Sequence, residues 1–417
     1  MHTATRSIPR TIGLTRMLLC ALAAVAPAAG AAGAQTVKPI GTVAPTGPVP
    51  QVSAATLAAI PPFDLNAAAD SIQVRLASRS VGYAFVVSYR GAVIATRAGG
   101  VARRAPDAPD RAMTVDEPYN IASVSKTITA SALIQLLSRT RRLSLLDSAM
   151  WRYLPSSWRF GNNVRQITIR DLLTHNGGLR CPGDVSYAEL RQCMAAGVQD
   201  TAYHVWQYNN SNYGLLRIIL PTLSNPDALM VNTPEGLASG YATRYIAYVR
   251  QNVLAPAGIT DAECKPRGRF PGQAYQYPDG VGAAGTDFGD KTLLCASQGW
   301  NLSARQLGRW AGTFLYTDAI VPASLSERMR VEGLGLYSGW IKPGIWATEH
   351  GGYYPGKDVD NVTLWNPGQI STIIVGLSNG VSVAAIVNSQ ITTGRRGSDP
   401  NMSLSVLVKS GLAAAMP

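Results

Sequence analysis

Strand-forming segments cluster at the two ends of this chain and leave its middle to helices and loops, and that placement limits the folds open to it. Residues 83–88 and 92–96 are short apolar runs joined by Arg90-Gly91, a hairpin signal. Near the other end, residues 372–377 and 381–387 flank Ser378-Asn379-Gly380, and Asn-Gly is the strongest short hairpin turn. Leu65, Ala68, Ala69, Ile72 and Leu76 recur at helical spacing behind a candidate N-cap at Asp64. Apolar residues from 127 to 138 predict a buried helix, and residues 404–412 predict a last one. The simplest assembly is an α/β (α+β) fold: one antiparallel sheet built from both chain ends, flanked by the terminal helices, with an inserted all-helical region. The expected boundaries are about 63–125 and 300–417 for the sheet part and about 126–299 for the helical part.

The first segment reads as an export signal. Arg6, Arg10 and Arg16 form a basic start, residues 17–29 are apolar, and Ala32-Gly33-Ala34 supplies small residues for cleavage. The mature chain then begins near Gln35, with a Pro/Ala-rich linker over 35–62. Cys20 follows Leu19, where a lipid-attachment site needs a small residue, so a lipoprotein is not expected. The mature chain keeps Cys181, Cys193, Cys264 and Cys295, an even set that favours disulfides in an exported protein. The expected pairing is local, 181 with 193 and 264 with 295. Cleavage removes three Arg and no acid, so the formal charge falls from +12 to +9. Those charges are scattered, with no basic run longer than two, so nucleic acid is not an expected partner. No later segment has 18 uninterrupted apolar residues, so no stable membrane insertion is expected after cleavage.

Three motifs carry candidate chemistry. Ser123 and Lys126 lie three apart on one helix face, at the start of an apolar helix. A helix N-terminus favours negative charge on Ser123, and a desolvated Lys one turn on is a base. Tyr208-Asn209-Asn210 offers a phenol whose pKa a neighbouring Lys126 cation is expected to lower, and an amide at Asn210 to hold Lys126 and a substrate amide. His350-Gly351-Gly352 offers glycines that let backbone approach a ligand closely. Taken singly, the second and third motifs are ordinary turns.

Together, in this order and at these separations, the motifs resemble the penicillin-binding-protein and class C β-lactamase-like serine hydrolases. The likeness extends to the flanks: Ile121-Ala122-Ser123-Val124-Ser125-Lys126-Thr127, then Leu143-Ser144-Leu145-Leu146-Asp147 and Tyr153-Leu154-Pro155, then residues 168–179, and residues 208–216. It covers roughly residues 64–412. The resemblance implies an acyl-enzyme on Ser123, with Lys126 as base or proton relay and Tyr208 as partner acid/base. It implies an oxyanion hole from the backbone N–H groups of Ser123 and Tyr353, substrate contacts from Asn210, His350, Gly352 and Tyr353, and no cofactor or metal. Substrates would be small esters or amides, or cell-wall-type peptides. His175 falls in one of the shared blocks and reads as a buried structural histidine.

One departure bears on substrate. The β-lactamases of this family usually carry Lys-Thr-Gly at the third motif, and His350 stands in place of that Lys. A mostly neutral His attracts a carboxylate less strongly. This favours ester or amide hydrolysis, as in esterase-like and D-amino-acid-peptidase-like relatives. β-Lactamase or D-Ala-D-Ala carboxypeptidase activity, acyl transfer, or a slowly acylated sensor of the same fold remain alternatives. On this reading the Lys126–Tyr208 pair sets the alkaline side of the activity, and His350 tunes substrate choice from a substrate-facing position. Trp206, Trp346, Tyr353 and Tyr354 could line an acyl pocket, with Trp300 in the core. Gly376-Leu377-Ser378-Asn379-Gly380 fits a nucleophile-elbow pattern, but a strand follows it where that motif needs a helix, and no His lies beyond 350. Metal-dependent hydrolysis is disfavoured by the lack of paired His spacing.

Overall fold

A computed structural model describes residues 62–182, 185–225, 233–276, 284–354, 368–391 and 403–417, with the backbone of 358–359 and 364–365. The expected signal segment and nearly all of the linker lie outside the described residues.

Helix α1 (Leu65–Ala77) starts where Asp64 accepts from the Asn66 and Ala67 N–H groups. Strands β1 (Gly82–Tyr89), β2 (Ala92–Arg103), β3 (Arg111–Ala112) and β4 (Tyr119–Asn120) follow. Helix α2 (Val124–Arg139) comes next, then α3 (Ile169–Thr174), α4 (Tyr187–Ala196), α5 (Asn210–Ser224) and α6 (Pro234–Val249). The second sheet half opens with β5 (Asn301–Leu302), α7 (Ala304–Tyr316) and α8 (Ala323–Glu332). It closes with β6 (Tyr337–Lys342), β7 (Ile345–Tyr354), β8 (Asp358–Val359), β9 (Leu364–Trp365), β10 (Ile370–Leu377), β11 (Val381–Val387) and α9 (Leu404–Ala415).

Seven strands form one antiparallel sheet in the order β3-β2-β1-β11-β10-β7-β6. The two ends of the chain meet in its centre, where β1 pairs with β11 from Tyr83↔Val387 to Tyr89↔Val381. Both strands are buried on every residue, which is why their sequences are continuous apolar runs without polar alternation. Phe85, Val87, Val383 and Ala385 pack with Ile72 and Leu76 of α1 and Val408 and Leu412 of α9. On the opposite face, Ile374 and Ala384 join a large core with α2, α5 and α7. Ser378-Asn379-Gly380 makes the β10–β11 turn, with Gly380 at φ +94°, so Ser378 lies in a hairpin and not on a strand-to-helix elbow.

α2 is buried from Val124 to Leu137. Burial on every side makes it a central rod, and the polar side chains it carries, such as Thr127 and Thr129, bond to carbonyls of the surrounding segments. Both disulfides are local, Cys181–Cys193 and Cys264–Cys295, with Cα separations of 5.4 and 5.7 Å. No helix among the described residues is long and apolar enough to cross a membrane.

Candidate active site

The entry into α2 is a tightly held bend. The Ile121 N–H donates to the Trp300 carbonyl at 2.8 Å, and the Ile121 carbonyl accepts from Thr372 Oγ1 of β10 at 2.7 Å. Ala122 then takes φ +46°, a left-handed conformation uncommon for a residue with a Cβ. Its N–H donates to Asn120 Oδ1 at 2.8 Å. Such strain persists only where the surroundings over-determine it, and here β4, the 300 loop and β10 all hold the bend. It delivers Ser123, half-buried, to the N-cap of α2 with no side-chain cap bond.

Lys126 lies one turn along, fully buried. Its Nζ is 2.9 Å from Ser123 Oγ, 2.8 Å from Asn210 Oδ1 and 2.8 Å from the Ser297 carbonyl. A neutral amine has two N–H groups and one lone pair. Asn210 and Ser297 supply two acceptors for the protons, which leaves the lone pair for the Ser123 hydroxyl. Asn210 is oriented in turn, its Nδ2 donating to Gln298 Oε1 at 3.4 Å. Burial lowers the Lys126 pKa to about 7, because removing an ammonium from water disfavours its charge.

Tyr208 Oη donates to Ser123 Oγ at 2.7 Å, and Lys126 Nζ is 4.9 Å from the phenol ring centroid. The sequence predicts a phenol acidified by Lys126. Instead, burial pushes the Tyr208 pKa up, with the Ser123 hydrogen bond opposing. The residue as a whole is 36% exposed, yet the loss of water around the phenol outweighs the Ser123 hydrogen bond. The phenol is therefore a proton donor to Ser123 Oγ, and Lys126 is the group able to accept.

The third motif lies on β7, alongside the Ser123 bend. A Cβ on Gly352 would collide with the Ile121 carbonyl and Thr372 Oγ1 and come within 3.0 Å of the Ser123 nitrogen, so glycine permits the approach. Pairing of β7 with β6 ends at Tyr337↔Glu349, so Gly351, Gly352 and Tyr353 have no β6 partner. Tyr353 is 54% exposed. His350 departs from the expected substrate-facing position. Its ring is 1% exposed, and its Nδ1 lies 2.9 Å from the Gly335 carbonyl. That acceptor places the proton on Nδ1. Nε2 finds no hydrogen-bond partner. Burial first, and the Lys126 charge second, lower the His350 pKa to about 3. The same Gly335 carbonyl accepts from Thr127 Oγ1 of α2 at 2.8 Å. His350 therefore ties β7 to the loop at Gly335 and to α2, because alternation along β7 turns it inward with Gly352.

Trp300 is fully buried, as expected, while Trp206 is 56% exposed beside the Tyr208 segment. Nothing in the sequence points to Ser297, which acts through a backbone carbonyl, or to Thr372 and Asn120, which brace the bend. No group of His, Cys, Asp and Glu side chains among the described residues is suited to a metal ion.

A family model described as Beta-lactamase matches residues 68–405. Among curated proteins, the esterase EstB of Burkholderia gladioli is 35% identical over 103 residues, which span 24% of this chain and 25% of the esterase. The chain thus matches about a quarter of that relative's length. Among solved structures, the octameric penicillin-binding protein homologue from Pyrococcus abyssi superposes with a TM-score of 0.61 at 18% identity, covering 84% of this chain and 77% of that one. A class C β-lactamase from Rhodobacter sphaeroides gives 0.60 at 17% identity over 84% and 99% of the two chains. The D-amino acid amidase from Ochrobactrum anthropi SV3, complexed with D-phenylalanine, gives 0.60 at 18% identity over 84% and 98%. These structures share the fold.

Proposed function

The chain belongs to the beta-lactamase family, and within it we propose that it is a serine hydrolase that forms an acyl-enzyme on Ser123 from a small carboxylic ester or amide. The observation that carries this reading is Ser123 Oγ held between Lys126 Nζ at 2.9 Å and Tyr208 Oη at 2.7 Å. Lys126 accepts the Ser123 proton as Oγ bonds to the substrate carbonyl carbon. The backbone N–H groups of Ser123 and Tyr353 receive the oxyanion. As the intermediate collapses, the bond to the leaving alcohol or amine breaks and that group takes a proton from Tyr208, which regains one from Lys126. Water then cleaves the acyl-enzyme by the reverse order of transfers, releasing the acid and restoring the Ser123 hydroxyl.

Esters and amides are favoured over β-lactams because position 350 gives the cleft no cation for a carboxylate. The resemblance to an esterase and to D-amino acid amidases fits that choice. We place the enzyme outside the cytoplasm, as a periplasmic or secreted protein processed near Gln35, with the helical part at about 126–299 inserted between the sheet-forming ends. Its two disulfides are in keeping with an oxidising compartment.

The test is labelling of the mature chain with a fluorophosphonate probe, followed by intact mass and peptide mapping. One adduct per chain on Ser123, absent in Ser123→Ala, is expected. An adduct on Ser378, or labelling that survives Ser123→Ala, would refute the assignment. A parallel panel of a short-chain ester, a D-alanyl peptide and a chromogenic β-lactam then fixes the substrate class.

A further inference from the structure

Tyr208 lies on a segment without regular structure, yet its hydroxyl sits on Ser123 Oγ. Its support comes largely from one residue, His175. That histidine ends α3 in the left-handed conformation, at φ +59°. His and Asn populate that region more readily than most side chains. This turn of the backbone aims both its carbonyl and its ring at the Tyr208 segment. The His175 carbonyl accepts the Gln207 N–H at 2.8 Å. The ring nitrogen Nδ1 is 3.4 Å from the Asn209 N–H and 2.8 Å from Asn212 Nδ2. The ring itself packs on the Tyr208 ring, with centroids 4.6 Å apart, and on Tyr213 at 5.4 Å. His175 thus holds the residue before Tyr208, the residue after it, and the phenol between them.

The donors around Nδ1 define the ring's form. A backbone N–H can only donate, so Nδ1 presents a lone pair and the ring is neutral with its proton on Nε2. The ring is 2% exposed. Asn212 closes the arrangement, its Nδ2 also donating to the Asn209 carbonyl at 3.2 Å.

We propose that His175 is the positioning residue of Tyr208, holding residues 207–209 so that the phenol donates to Ser123 Oγ. This rests on the reading of Ser123 as nucleophile and Tyr208 as its proton donor. His175 touches neither Ser123 nor a reacting atom, so it acts only through the residues it holds, Tyr208 foremost.

A double-mutant cycle tests this, read as the second-order rate of fluorophosphonate labelling. His175→Asn keeps a side chain that tolerates the left-handed backbone but removes the ring. It is expected to slow labelling about a hundredfold, the scale of a small displacement of a catalytic group. In a Tyr208→Phe background the same substitution is expected to cost less than about threefold. Asn212→Ala loosens the ring without touching position 175, and keeps the test open if His175→Asn folds poorly. It should cost about tenfold, again only when Tyr208 is present. Equal losses in both backgrounds would overturn the proposal and leave the Ser123 reading intact. If Tyr208→Phe alone labels at the wild-type rate, the role of Tyr208 falls and the proposal falls with it.

Discussion

The two flanks of Ser123 are built differently. On the helical flank, side chains do the work: hydrogen bonds run in a chain from Tyr208 through Ser123 and Lys126 to Asn210, and Lys126 has no solvent exposure. On the sheet flank, β7 offers backbone: Gly352 lies against the Ser123 bend, Tyr353 is open to solvent, and His350 is turned away into the core. The helical flank is suited to moving protons, because burial of Lys126 lowers its pKa without a neighbouring charge, while Tyr208 reaches Ser123 from a residue that is still 36% exposed. The open flank is suited to receiving substrate. It follows that changes on the helical flank should damage every substrate alike, and changes on the sheet flank should be graded by how far they move β7.

The largest effect is expected at Lys126. Lys126→Met should reduce acylation on the order of a thousandfold or more for ester, amide and probe alike. It should also stabilise the fold in acid. The folded pKa of about 7 lies below the ordinary value of 10.5, so below pH 7 folding must hold a buried ammonium, and that penalty fades as pH rises towards 10.5. A shift of this size corresponds to roughly 5 kcal/mol. The gain from Lys126→Met in denaturant unfolding should therefore be larger at pH 6 than at pH 10 by a few kcal/mol. An equal gain at both would contradict the burial argument. In the wild type, acylation should rise through about pH 7 as Lys126 loses its proton and hold until the Tyr208 phenol, shifted upward, ionises. The acid limb thus belongs to Lys126 and the alkaline limb to Tyr208, where the sequence predicts only joint control of the alkaline side. Tyr208→Phe should remove the alkaline limb and leave the acid limb in place.

The two glycines of the third motif sharpen the comparison. Gly352→Ala forces its Cβ into the Ile121 carbonyl and Thr372, whereas a Cβ at Gly351 meets nothing nearer than the Thr372 carbonyl at 3.9 Å. Moving β7 away from Ser123 should slow acylation about a hundredfold, so Gly352→Ala should be crippled and Gly351→Ala near wild type. Equal rates in the two variants would break the claim that β7 works through close backbone approach.

His350 should give the smallest effect on activity. His350→Ala removes the bond to Gly335 and should cost about 1–3 kcal/mol of stability, the range for a buried hydrogen bond lost. The ratio of kcat/KM for an ester to that for a β-lactam should change less than about threefold. A larger change in that ratio would return His350 to the substrate-facing role that the sequence suggests.

What the sequence determined is what short-range geometry can fix. Ser123 and Lys126 share a helix face because residues three apart lie one turn from each other. The 378–380 turn follows from Asn-Gly, the continuous apolar runs of β1 and β11 mark central strands, and the local cysteine spacing matches the observed pairs. The tertiary structure decided the rest. Lys126 meets Asn210 across 84 positions and Ser297 across 171. The Ser297 contact uses a carbonyl that every residue type carries, so its side chain gives no signal. Whether Lys126 is charged, whether Tyr208 gives or takes a proton, and whether His350 faces in or out all depend on how much water surrounds each group. An apolar helix already implies burial for Lys126, but the surroundings of Tyr208 and His350 are set by segments that meet only in the folded chain, so the turn-like motifs that carry them cannot reveal those surroundings.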